Sequence, residues 1–158
     1  MTVRAPAATD DDLTVRPAER VDLLAIVSIE NASFDQPWPY DAFDSFLGSP
    51  GFLVADRDGQ VAGYIVADVS RSLGHRFGHV KDIAVHPDCR GEGVGSVLLA
   101  RALGVVAGRG ADSVKLEVRR SNEGAQRLYR QFGFEPLRVV SGYYHDDEDA
   151  IIMIRSLE

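Results

Sequence analysis

Three glycines alternate in Arg90-Gly91-Glu92-Gly93-Val94-Gly95-Ser96, which follows the hydrophobic run His79-Val80-Lys81-Asp82-Ile83-Ala84-Val85 and the link His86-Pro87-Asp88-Cys89. From Gly93 to about Val106 the apolar residues Val94, Val97, Leu98, Ala102, Val105 and Val106 recur at helical spacing, so the glycines lie where a strand hands over to a helix. The first turn of a helix has unpaired backbone N–H groups and a partial positive charge, and glycines carry no Cβ to hold a phosphate away from them. Anion binding is the chemistry this predicts. Further on, Val114, Leu116 and Val118 alternate with Lys115, Glu117 and Arg119, which puts Glu117 on the polar face of a strand. There its carboxylate is available to accept a proton, or for an ordinary ion pair with Arg119 or Arg120.

Spacing removes the rival phosphate loops. A Walker loop ends in Gly-Lys-Ser/Thr, and no lysine lies in or near Arg90 to Ser96. The dinucleotide fingerprint is matched by Gly91-x-Gly93 and by an acid, Glu117, at about the right distance. Ser96 nevertheless stands where the third glycine belongs, and five residues, His86 to Arg90, separate the strand from the first glycine. Metal chemistry is not expected. His75 and His79 are four apart, but Gly74 and Gly78 oppose the helix that would pair them, and no His-Glu-x-x-His pattern exists. The single cysteine, Cys89, makes neither an internal disulfide nor a metal site alone.

The elements that must position these residues follow from pattern. Leu13 to Arg16 reads as a strand, with Pro17 at the start of a helix that carries Val21, Leu24, Ile26, Val27 and Ile29 to about Asn31. Phe34-Asp35-Gln36-Pro37-Trp38-Pro39-Tyr40 contains two closely spaced prolines and reads as a rigid aromatic loop before a short helix, Asp41 to Leu47. Its aromatics either seal the core or line a pocket. Phe52 to Ala55 and Val61 to Val69 flank an Asp58-Gly59 turn and form a hairpin; a loop, Ser70 to Gly78, leads to the strand His79 to Val85. That strand, the helix to Gly108 and Ser113 to Val118 make a βαβ unit, so its two strands are expected to be parallel. Ser121 is the expected N-cap of a last helix bearing Ala125, Leu128, Tyr129 and Phe132, and Asn122 and Tyr129, two turns apart, share a face. Two strands close the chain, Phe134 to Tyr144 and Ala150 to Ser156, with the acidic run His145 to Asp149 between them.

A chain of 158 residues with 45% hydrophobic and 26% charged residues suits one globular domain, 13–158, behind a short flexible tail, 1–12. The tail has no apolar core and ends in Asp10-Asp11-Asp12, unlike a signal peptide, and no apolar run approaches the roughly 20 residues that span a bilayer. A cytoplasmic protein without membrane contact is expected. The net charge of −7 argues against nucleic acid as a partner.

Ile83-Ala84-Val85-x-Pro87-x-x-Arg90-Gly91-x-Gly93-x-Gly95 resembles the acetyl-CoA signature of the GNAT N-acetyltransferases. Leu116-Glu117-Val118-Arg119-x-Ser121-Asn122, Ala125, Leu128-Tyr129, Phe132-Gly133-Phe134, Gly142-Tyr143-Tyr144 and Glu148-Asp149-Ala150 extend the likeness to the protein N-terminal acetyltransferase branch, which holds the bacterial RimI and the Ard1-like enzymes. The resemblance implies an α/β (α+β) GNAT fold: a mixed, mostly antiparallel seven-stranded sheet with a parallel β4-α-β5 unit and about four helices. It implies acetyl-CoA as co-substrate and no metal. Backbone groups of Gly91, Glu92, Gly93, Val94, Gly95 and Ser96, with Arg90, would grip its pyrophosphate. Ile83, Ala84 and Val85 would run beside the pantetheine, and Asn122 would contact it. Glu117 matches the family's base and Tyr129 its acid. Phe34 and Gln36 occupy places that receive the acceptor's first residues, with Gln36 where archaeal relatives tend to have glutamate, and Tyr143 and Tyr144 would touch the acceptor backbone. The acceptor implied is a protein N-terminus, ribosomal or nascent, taken by a monomer or weak dimer with or without an auxiliary subunit. Small amines, lysine side chains and a non-catalytic acyl-CoA sensor are the alternatives.

Overall fold

A computed structural model describes residues 13–157, so the expected N-terminal tail lies outside the described residues. Seven strands form one sheet in the order β1-β2-β3-β4-β5-β7-β6. They are β1 (Leu13–Pro17), β2 (Gly51–Arg57), β3 (Gln60–Ser72), β4 (His75–Val85), β5 (Ser113–Arg119), β6 (Glu135–Val140) and β7 (Ala150–Ser156). The α-helices are α1 (Leu23–Ser33), α2 (Tyr40–Phe46), α3 (Val94–Gly108) and α4 (Glu123–Gln131), as many as the resemblance implies. The described residues divide into two compact units, 13–67 with Asp82–Val105 and Asp68–Lys81 with 106–157.

In the first unit β1 pairs antiparallel with β2 and β2 with β3. Asp58 and Gly59, both at positive φ, turn the β2–β3 hairpin where the Asp-Gly signal puts it. Pro17 ends β1 instead of opening a helix: it lies opposite Leu53 on the edge strand, where its missing N–H costs no ladder bond, and helical turns begin only at Arg20. Leu23, Ile26 and Ile29 of α1 pack with Phe43, Phe52, Val54, Tyr64 and Val66 in an aromatic-rich core. Trp38 joins its margin, 5.7 Å from Phe46 and nearly parallel to it, and 5.3 Å from Phe43. The aromatic loop therefore seals the core with Trp38 and leaves Gln36 exposed. Close approach fixes one glycine. A Cβ on Gly63 would stand 2.9 Å from the Ala84 carbonyl oxygen and 3.1 Å from Val94 at the start of α3.

In the second unit β4 runs parallel to β5, with Phe77 opposite Ser113 and Val80 opposite Leu116. The β5–β7 and β7–β6 pairs are antiparallel. The expected loop from Ser70 to Gly78 is instead mostly strand. Leu73 and Gly74, both at positive φ, make the tight turn, so β3 extends to Ser72 and β4 starts at His75. At the other end β6 stops at Val140, four residues sooner than the pattern predicts, and Tyr143 and Tyr144 lie in the connection to β7.

Asp22 ties the entry of α1 to β1. Its carboxylate is 5% exposed and takes both Arg16 guanidinium nitrogens at 2.9 Å and the Glu19 N–H at 2.8 Å. Burial pushes the Asp22 carboxyl up, but the Arg16 and Glu19 hydrogen bonds and the Arg16 charge outweigh it and hold the group below the ordinary range. A carboxyl so depressed contributes stability above its unfolded pKa of about 3.9 and loses it as pH falls through the folded value. Asp22→Asn is therefore expected to cost about 2 kcal/mol at pH 7 in urea unfolding. The difference from the native chain should hold down to about pH 4 and shrink below it.

Candidate active site

The glycine loop belongs to the first unit. After β4 a single 3-10 turn, Pro87–Cys89, is capped by His86, whose Nδ1 accepts the Asp88 N–H at 3.0 Å. The His86 N–H bonds the Ala62 carbonyl at 2.8 Å, so the chain leaves β4 at a fixed angle. Gly91 and Gly93 then adopt positive φ, 79° and 84°, and α3 begins at Val94. Neither glycine has an atom within 4 Å of where a Cβ would stand. Their role is conformational: they turn the chain into the helix and leave the space before its first turn open, which is the form an anion cradle takes. Val94 is buried and anchors the helix start. Arg90 is held by two neutral acceptors. Its Nε donates to the Val85 carbonyl at 3.2 Å and its Nη2 to the Ser33 hydroxyl at 3.0 Å, tying the loop to β4 and to the end of α1. Glu92 pairs with Arg57 at 2.5 Å. In the same unit Phe34 is half-buried against the core.

The carboxylate belongs to the second unit. Glu117 is neither free nor paired with Arg119 or Arg120. Its Oε1 lies 2.7 Å from the His79 Nε2, in the polar layer of the β4–β5 pair, and the two side chains are only 15% and 20% exposed. Burial pushes the Glu117 carboxyl up, but the hydrogen bond and charge of His79 and the charges of Lys115 and Lys81 outweigh it and hold the group low. Those two are the only lysines in the chain. Sequence reasoning set His79 aside with His75, which instead lies 3.5 Å from Asp112. Among the described residues no three His, Cys, Asp or Glu side chains gather as a metal site.

Tyr143 and Tyr144 meet edge to face with ring centres 5.0 Å apart, and the charge of Glu117 is felt by both. Burial pushes the Tyr144 hydroxyl up to about 12, the nearby Arg119 opposing and Tyr143, Glu117 and Glu148 adding. The Arg119 guanidinium covers the Tyr144 ring at 4.1 Å and binds Asp146 at 2.9 Å and Glu148 at 2.8 Å. The acidic run is an exposed turn whose Asp146 and Glu148 are held by Arg119. Hydrogen bonds from Ser121 and Arg119 hold the Glu148 carboxyl at about 2.

Asn122, not Ser121, caps α4: its side-chain oxygen accepts the Ala125 N–H at 3.1 Å, while the Ser121 N–H goes to Glu148 at 2.8 Å. Tyr129 is 6% exposed, with its ring edge-on to Phe134 at 5.9 Å. The second unit therefore gathers His79, Glu117, Tyr143 and Tyr144, and sets Asn122 and Tyr129 on α4.

Residues 23–134 match the model of the acetyltransferase (GNAT) family. The chain belongs to that family. GNAT relatives align with it along nearly their whole lengths. An N-alpha-acetyltransferase of Saccharolobus solfataricus is 34% identical, over 92% of this chain and 94% of its own. The [ribosomal protein bS18]-alanine N-acetyltransferase of Escherichia coli K12 is 32% identical, over 89% and 95%. The crystal structure of Ard1 from Thermoplasma volcanium superposes with a TM-score of 0.85 at 29% identity, covering 93% of this GNAT chain and 99% of the other.

Removing the hydrogen-bond donor of Glu117 should weaken the downward shift of its pKa. In His79→Ala, burial is opposed only by Lys115 and Lys81, so the Glu117 carboxyl should titrate higher than in the native protein, as read by carboxyl carbon NMR.

Proposed function

We infer that the protein transfers the acetyl group of acetyl-CoA to the α-amino group of a protein N-terminus. The observation that carries this reading is the paired His79 and Glu117, facing the same polar layer as Tyr143 and Tyr144, in a GNAT chain related to enzymes named for N-terminal acetylation. Acetyl-CoA supplies an acetyl group already activated as a thioester. Amides of Gly91 to Ser96, shaped by Arg90 and Glu92, would hold its phosphates, and Ile83 to Val85 would lie beside its pantetheine arm. Asn122 keeps its capping bond and would offer its amide nitrogen to the same arm.

The attacking amine must be neutral. An α-amino group has a pKa of about 8, so deprotonating it at pH 7 costs only about 1 kcal/mol. Glu117 is a weaker base than an ordinary carboxylate because its surroundings favour the charged form. Glu117 fixes the His79 ring through Nε2; in the state with His79 neutral and Nε2–H donated to Glu117, Nδ1 is the proposed acceptor of the ammonium proton, directly or through a water. Tyr129 is the proposed donor to the departing sulfur. Phe34 and Gln36 would receive the acceptor's first side chains, and Tyr143 and Tyr144 its backbone. This activity on ribosomal or nascent chains places the enzyme in the cytoplasm in our reading; no helix among the described residues is long and apolar enough to cross a membrane.

Release of coenzyme A should be seen with short peptides that have free α-amines and not with the same peptides blocked, nor with free lysine or polyamines. Turnover confined to small amines would keep the chemistry and replace the acceptor, and binding of acetyl-CoA with no turnover would favour a sensor. Glu117→Gln and His79→Gln should each lower kcat about 100-fold with the acetyl-CoA KM within about twofold. An unchanged kcat would remove the pair from the mechanism.

A further inference from the structure

Two acids of the first unit, Glu30 and Asp82, are not used by the proposed chemistry. Glu30 is 2% exposed on α1 and Tyr64 is fully buried on β3. The Glu30 Oε2 accepts the Trp38 N–H at 2.9 Å, and its Oε1 accepts the Tyr64 hydroxyl. Asp82 of β4 lies within hydrogen-bonding reach of Glu30. Two carboxyl groups can share a hydrogen bond only when one carries a proton. Glu30 already serves two donors as an acceptor, so the proton falls to Asp82. The Asp82 Oδ2 supports this: it is buried, and as a carboxylate oxygen it meets no donor. A proton on the Asp82 carboxyl would give it a hydroxyl to donate to Glu30. Burial, the bond to Glu30 and the charge of Glu30 all raise the Asp82 pKa, while the Ile83 N–H opposes them.

The consequence lies at Trp38. Pro37 and Pro39 have no N–H, so across these three residues only Trp38 offers a backbone donor, and Glu30 takes it. We propose that Asp82 is a positioning residue for the acceptor: protonated, it donates to Glu30 and holds that carboxylate where it captures the Trp38 N–H, so that the Phe34 to Tyr40 loop keeps the conformation that receives the peptide. The link to the acceptor rests on the function inferred above, whereas the link to Trp38 does not.

The chain's single tryptophan reports the loop directly. In the full-length protein, Asp82→Ala should red-shift the Trp38 emission and raise the peptide KM about tenfold, with kcat and the acetyl-CoA KM within about twofold. Asp82→Asn should restore both, because its amide donates to Glu30 without needing a proton. Should the alanine variant fail to fold, Asp82→Val has similar bulk and no donor and takes its place. Asparagine as damaging as alanine or valine would overturn the proposal, and so would a donorless variant with native emission and peptide KM. If no peptide is acetylated, the functional reading fails by itself, and the emission of the variants still decides whether Asp82 holds the loop.

Discussion

Two parallel strands cannot be joined by a tight turn, and β4 and β5 are parallel. The chain must leave β4, cross over as a helix and return, and this necessity shapes both the glycine loop and the surroundings of Glu117. The crossover needs an abrupt strand-to-helix passage, supplied by Gly91 and Gly93 at positive φ, and the passage leaves unpaired amides at the start of α3. The return sets β5 in register, with His79 opposite Lys115, and brings the Glu117 carboxylate onto the His79 ring across 38 residues of sequence. A slip of one residue would turn Glu117 into the apolar layer of Val114, Leu116 and Val118.

The charges around this pair act in one direction. His79, Lys81 and Lys115 keep Glu117 ionised against its burial, while Glu117 and burial keep the nearby tyrosines protonated. Arg119 is drawn away to Asp146 and Glu148, so the obvious cation on β5 organises the Tyr144 connection and leaves the carboxylate to the histidine.

What was legible in the sequence was what periodicity and turn chemistry encode. The alternation around Glu117 put it on the polar strand face, the glycines marked the junction before α3, and Asp58-Gly59 marked its hairpin. The errors have physical reasons. Leu73 has no turn propensity, so a hairpin using it at positive φ looked like a loop. Ser121 and Asn122 are adjacent and equally able to cap, and the choice was made by Glu148, which takes the Ser121 N–H. The partnership of His79 depends on strand register, and that of Asp82 on packing between α1, β3 and β4. Neither pairing has a local signature.

The central claim is that an acceptor nitrogen is deprotonated at the His79 and Glu117 pair. A crystal structure with coenzyme A joined through an acetyl bridge to the N-terminal nitrogen of a short peptide tests it most directly. The account predicts that nitrogen within about 3.2 Å of His79 or Glu117, or one water away, with the peptide backbone against Tyr143 and Tyr144. A nitrogen beyond the reach of one water from both side chains would contradict it.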